Sequence, residues 1–167
     1  MGCCRARVSL WRQKSAAETH PVKITGEYEI HAARDRVWEA LLDPEILANT
    51  LPGCEELTPA GPDEYEMKMK LSMATVAGAF KGKVRIEDKN PPESYRLTIN
   101  GNGKIGFIKG TGKYSLSDAG ESLTKVNYEG DMQVGGMIAG VAQRLMDMTA
   151  KMMIKRFFTA LDNELAN

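Results

Sequence analysis

Apolar and polar positions alternate along most of this chain, and the alternation breaks at a few well-marked places. Residues 23–30 put Ile24, Gly26, Tyr28 and Ile30 on one side and Lys23, Thr25, Glu27 and Glu29 on the other. That period of two predicts a half-buried strand. The spacing then changes. Val37, Trp38, Leu41 and Leu42 recur at helical intervals, and Asp43-Pro44 reads as an N-cap followed by proline in the first helical position of a short second helix, residues 44–47. Leu51-Pro52-Gly53-Cys54 stops it.

Strand patterns follow, separated by turn signals. Residues 55–60 lead through Gly61-Pro62-Asp63 into a segment where Tyr65, Met67, Met69 and Leu71 oppose Glu64, Glu66, Lys68 and Lys70. Val76, Phe80, Val84 and Ile86 share a face, as do Tyr95, Leu97 and Ile99 beyond the Asn90-Pro91-Pro92 break. Ile108, Tyr114 and Leu116, then Val126, Tyr128, Met132 and Val134, continue the pattern. Short connections between such strands predict one antiparallel sheet with a dry and a wet face. Gly78, Gly82, Gly101, Gly103, Gly110 and Gly112 have the parity of the apolar positions, and missing side chains on an inner face let a sheet bend sharply.

After Gly135-Gly136 the period returns to that of a helix. Ile138, Val141, Ala142, Leu145, Met148, Met152 and Met153 fall on one arc, with Arg144, Asp147, Lys151 and Lys155 opposite. The expectation is a long amphipathic helix laid on the curved sheet, its apolar arc inward. Arg156 falls within that arc. It is either the contact for a polar ligand head at a cavity mouth or a side chain that snorkels to solvent.

Composition narrows the partners. The chain has 167 residues, 43% apolar and 26% charged, with 22 basic and 22 acidic side chains. A zero net charge gives no reason to expect nucleic acid. Charge is uneven, because Arg5, Arg7, Arg12 and Lys14 against Glu18 make residues 1–21 basic. This segment reads as a disordered or extension tail ahead of a domain spanning residues 22–167. Met1-Gly2-Cys3-Cys4 suggests acylation, but Ala6 stands where myristoylation wants Ser or Thr. No apolar run reaches the ~18 residues of a membrane span. The three cysteines, Cys3, Cys4 and Cys54, make neither a disulfide framework nor a zinc site, and the expected compartment is the cytoplasm.

No catalytic set emerges. His20 lies in the tail, His31 closes the first strand, where a surface or capping role is expected, and no Ser or Cys has a histidine partner at a suggestive place. Cys54 has no visible activator, so packing is its expected role. Tyr65, Tyr95, Tyr114 and Tyr128 have inward parity and either present hydroxyls to a ligand or satisfy them within a core. The methionines are equally two-sided, since Met fills ordinary cores and also lines surfaces that accept variable apolar shapes.

The pattern "IHAARDRVWEALLDPEILANTLPGCEEL", with "GFIKGTGKYSL" and "YEGDMQVGGMIAGVAQRLMD", resembles the carbon monoxide dehydrogenase CoxG-like branch of the START-like, SRPBCC superfamily. Val37, Trp38, Leu41, Asp43-Pro44 and Leu51-Pro52-Gly53-Cys54 carry the likeness. Gly106-Phe107, Lys109-Gly110 and Val134-Gly135-Gly136 complete it. Ala33 replaces the usual proline after the first strand.

The resemblance implies an α+β helix-grip fold: a curved antiparallel sheet of about seven strands wrapped around the long C-terminal helix, with two short helices after the first strand. It also implies an apolar cavity between sheet and helix. The expected lining is Tyr65, Met67, Met69, Phe80, Val84, Tyr95, Leu97, Ile99, Ile108, Tyr114, Tyr128, Met132, Ile138, Val141, Ala142, Leu145, Met148 and Met152. The turn at residues 103–109 and the short helix at 44–47 are the expected rim.

The branch is linked to molybdenum-containing CO dehydrogenase-type hydroxylases, as an accessory that recruits the enzyme to the membrane and carries quinone. The implied function is a non-catalytic carrier with no covalent cofactor, a bound quinone or lipid, a hydroxylase partner, and peripheral contact at the inner membrane face. Tethered members continue past the last helix into a membrane segment, whereas this chain ends at Asn167, so a C-terminal span is not expected. The alternatives are a polyketide cyclase/aromatase-like enzyme, another lipid-binding protein of the superfamily, and an assembly factor with an incidental cavity.

Overall fold

The computed structural model describes residues 19–73 and 76–166. The expectations on acylation and on the tail up to residue 18 lie outside the described residues. Strand β1 (Thr19–Ile30) is followed by helices α1 (Arg34–Leu42) and α2 (Pro44–Thr50). Six strands come next: β2 (Cys54–Gly61), β3 (Glu64–Met73), β4 (Val76–Asn90), β5 (Ser94–Gly103), β6 (Gly106–Gly120) and β7 (Leu123–Gly135). A 3-10 turn (Gly136–Gly140) leads into helix α3 (Gln143–Ala166). Every expected strand and helix is present.

The seven strands form one antiparallel sheet in the order β1-β7-β6-β5-β4-β3-β2. Strands β2 to β7 run as a meander, and the first strand closes beside the last, Thr19 opposite Gly135 and Ile30 opposite Thr124. Strand β1 thus takes in Thr19, His20 and Pro21, ahead of the expected domain boundary at Val22. Cross-strand ion pairs such as Lys68–Glu56 (2.7 Å) and Lys125–Glu27 (2.9 Å) decorate the wet face.

Helix α2 starts where the sequence says. The Asp43 carboxylate accepts from the amides of Glu45 (2.9 Å) and Ile46 (3.4 Å), and Pro44 occupies the first turn. Helix α1 buries Val37, Trp38, Ala40 and Leu41 against the C-terminal half of α3. Buried Thr124 donates to the carbonyl of Ala32 at 2.7 Å, which ties β7 to the turn after β1. At the same corner the His31 amide donates to the Asp162 carboxylate at 2.7 Å, so the end of β1 is fastened to α3 as well.

The C-terminal helix departs from expectation in its phase. Gly136 has φ +82°, and a Cβ there would meet the Gly106 backbone at 2.6 Å, so the chain turns through a position only glycine fills easily. The 3-10 turn and the non-helical Val141-Ala142 link intervene before α3 begins. A wheel drawn as one continuous helix from Gly136 therefore carries the wrong angle into α3. The buried stripe is Met146, Phe157, Phe158, Leu161 and Leu165, while Met148 and Met152 are 61% and 46% exposed.

Candidate functional site

Between the concave face of the sheet and α3 lies a cavity of about 340 Å³. That is within the roughly 300–1,000 Å³ of pockets that hold small molecules. Its wall is almost wholly apolar. Strand β3 supplies Tyr65, Met67 and Met69, β4 Phe80 and Val84, and β5 Tyr95, Leu97 and Ile99. Ile108 and Tyr114 come from β6, Tyr128 and Met132 from β7, and Ile138 from the 3-10 turn. The period of two on a bent sheet brings these thirteen expected residues together.

The helix side is a correction. Val141, Ala142, Leu145, Met148 and Met152 do not line the cavity; Met146, Thr149, Ala150, Met153, Ile154, Phe157 and Phe158 do. The phase shift at the start of α3 is the reason. Arg156 is exposed, beside Met152, Lys155 and Thr159 on the outer face of α3, and does not reach the cavity mouth. A wheel anchored on Phe157-Phe158 and Leu161 at the C-terminal end finds the true face, since Met146, Ala150, Ile154 and Phe158 are four apart.

Val22, Ile24 and Val134 near the chain crossing, and Leu47, Leu51, Pro52 and Leu57 around α2, line the cavity without having been expected there. Helix α2 does border the cavity, as expected of a rim. The β5–β6 turn is less free than expected: Ile105 is buried in space left by Gly78, where a Cβ would meet it at 2.9 Å. Its carbonyl also accepts from the Ile138 amide at 3.0 Å.

Aromatic rings close the end beneath α1. Phe158 lies between Tyr28 and Tyr128, each stacked at 5.4 Å, and the edge of Trp38 meets Tyr95 at 5.6 Å. Tyr95 stacks on Tyr114 at 5.2 Å and 15°. The Tyr65 hydroxyl donates to the carbonyl of Leu42 at 3.4 Å, so it serves the fold and not the cavity. Burial raises the Tyr95 phenol well above its ordinary value, with a smaller push from Tyr114. Burial, then Tyr128, pushes Tyr114 up to about 12, and burial also raises Tyr128. All three are neutral hydrogen-bond donors at physiological pH.

Among the described residues no basic side chain lines the cavity. Glu129, the one carboxylate at its wall, is exposed; strand alternation turns its side chain to the wet face. Cys54, at the start of β2, has its thiol raised chiefly by burial, with Sγ 3.6 Å from the carbonyl of Glu56. That is the state of a packing cysteine, not a nucleophile. Among the described residues no cluster of His, Cys, Asp and Glu could hold a metal ion, and no helix is long and apolar enough to cross a membrane.

The sequence profile of the carbon monoxide dehydrogenase CoxG family matches residues 26–166. No curated protein matches the chain significantly. A conserved protein from Geobacillus kaustophilus shares 31% identity over 87% of this chain and 95% of its own, with TM-score 0.83. A START superfamily protein from Mycobacterium smegmatis is 10% identical over 86% of this chain and 97% of its own, TM-score 0.69. The Zhui aromatase/cyclase from Streptomyces sp. R1128 is 14% identical over 88% and 94%, TM-score 0.65. These last two likenesses are of fold. They identify the curved sheet and its gripped helix as the START-like, helix-grip arrangement.

Proposed function

The chain belongs to the carbon monoxide dehydrogenase CoxG family, and from that premise we propose that it is a non-catalytic carrier. It takes an apolar molecule, a quinone or a lipid, into the sheet–helix cavity and serves a CO dehydrogenase-type molybdenum hydroxylase at the inner face of the membrane. The observation that carries this reading is the 340 Å³ cavity with its apolar wall. A filled core would have favoured an assembly factor.

A cyclase or aromatase function needs a proton acceptor beside the reacting group. The cavity tyrosines have no histidine or carboxylate partner among the described residues, which weighs against that alternative. For the membrane, the outer face of α3 has suitable chemistry. Arg144, Lys151, Lys155 and Arg156 are exposed there with Met148 and Met152, and none of these cations forms an ion pair within the described residues. Cations among exposed apolar side chains favour an anionic bilayer surface, at about 1 kcal/mol per cation.

The deciding experiment is mass spectrometry of organic extracts from gently purified protein, beside a control protein from the same host. A stoichiometric quinone or lipid is the expected result. A protein that is empty and takes up no quinone or lipid probe at high concentration would overturn the carrier reading.

A further inference from the structure

Tyr95, Tyr114 and Tyr128 stand directly opposite one another on β5, β6 and β7. Tyr95 and Tyr114 stack at 5.2 Å, and Tyr128 extends the line onto β7, its ring on Phe158 and its hydroxyl over Gly26. Among the described residues no group hydrogen-bonds any of the three hydroxyls. Yet no buried side-chain oxygen without a partner is sealed off from space a water molecule could enter. Tyr95 is only 3% exposed, so the space its hydroxyl meets is the cavity. Of the other hydroxyl residues at the cavity wall, Tyr65 and Thr149 are spent on main-chain carbonyls, and exposed Thr111 has the parity of the wet face.

A buried donor without an acceptor is costly, and an oxygen-bearing ligand removes that cost. The same wall offers an anion no counter-charge, and a desolvated anion far from any cation is strongly disfavoured. We infer that the row Tyr95–Tyr114–Tyr128 is the polar subsite of the cavity. It takes the carbonyl oxygen of a neutral, long-chain ketone, quinone or ester, seated oxygen-end inward, and discriminates against carboxylates and phosphates on the same apolar body. This rests on the reading of the cavity as a site for apolar ligands and adds to it a chemical class and an orientation.

The test uses the full chain at pH 8 with three matched probes: 2-tridecanone, tridecane and dodecanoate, each displacing Nile red. The ketone should bind about tenfold tighter than the hydrocarbon, and more tightly than the carboxylate. The double variant Tyr95→Phe, Tyr114→Phe should bring the ketone down to the affinity of the hydrocarbon and leave tridecane unchanged, with Nile red, itself a carbonyl compound, titrated separately against each protein. The bound ketone's carbonyl stretch should lie at lower wavenumber in the native protein than in the double variant. Neither hydroxyl has a partner in the fold, so the variant keeps its circular dichroism spectrum. Equal binding of ketone and hydrocarbon, or of ketone and carboxylate, overturns the subsite while leaving the cavity reading intact. Failure of Nile red and all three probes to bind overturns both.

Discussion

The hydroxyl of Tyr128 occupies the space above Gly26 where a side chain on the neighbouring strand would stand. Gly26 is therefore glycine because of its neighbour, not because of its own backbone angles. The phenol crosses β1 with one face on Phe158, and it ends the row that begins at Tyr95. Replacing Gly26 with valine forces Tyr128 off Phe158. Overpacking of this kind costs about 1–3 kcal/mol. The melting temperature should fall, and affinity for a carbonyl-bearing probe should fall more than affinity for a hydrocarbon. An unchanged melting curve would show that the ring moves aside without loss.

The corrected face of α3 separates two substitutions that a continuous wheel would misassign. Ala150 borders the cavity and Met152 faces outward. Ala150→Phe should fill the space and abolish uptake of Nile red while the protein stays folded. Met152→Phe should leave uptake unchanged, with stability within about 0.5 kcal/mol of the native chain, as is usual at surface positions. The opposite pattern would restore the original phase.

Alkaline pH tests the phenol row directly. Tyr114 is raised from 10.0 to about 12, and Tyr95 moves in the same direction, both because burial disfavours the phenolate. The unfolded chain gives up these protons first. Their stabilising contribution is therefore complete below about pH 10 and is lost as pH rises through about 12. In an absorbance titration at 295 nm, Tyr95 and Tyr114 should ionise late, together with loss of the folded circular dichroism signal. Ionisation of every tyrosine near pH 10 with the fold intact would contradict this placement.

The membrane part of the proposed function has its own control. Lys151→Glu with Lys155→Glu reverses charge on the outer face of α3 without touching the cavity wall. Cosedimentation with phosphatidylglycerol vesicles should drop by about tenfold or more, and Nile red uptake should not change. Equal vesicle binding by both proteins would remove α3 as the contact.

Much of this was legible because a strand's period is insensitive to detail. On β3, Tyr65, Met67 and Met69 face inward because alternate residues share a side, whatever curvature the sheet adopts. A helix is less forgiving. Its facing depends on accumulated angle, and the 3-10 turn with the link at Val141-Ala142 alters that angle before α3 starts. Arg156 looked inward for this reason and is not. The row of phenols was visible only as parity on separate strands. That Tyr95, Tyr114 and Tyr128 stand opposite one another depends on register, and the β6–β7 turn that sets one of these registers has a non-glycine residue at positive φ, Ser122, which carries a weak signal.

The pairing of β1 with β7 has a consequence for timing. The first described strand, Thr19–Ile30, finds its partner only in the last strand, and α3 follows still later. On a ribosome, a nascent chain lacking β7 and α3 has a sheet with no closing strand and a concave apolar face with no lid. Contacts this distant along the chain form late, so the cavity is assembled only once β7 and α3 have been made. Under the proposed carrier function, a ligand therefore meets a complete cavity only after β7 and α3 have folded onto the earlier strands.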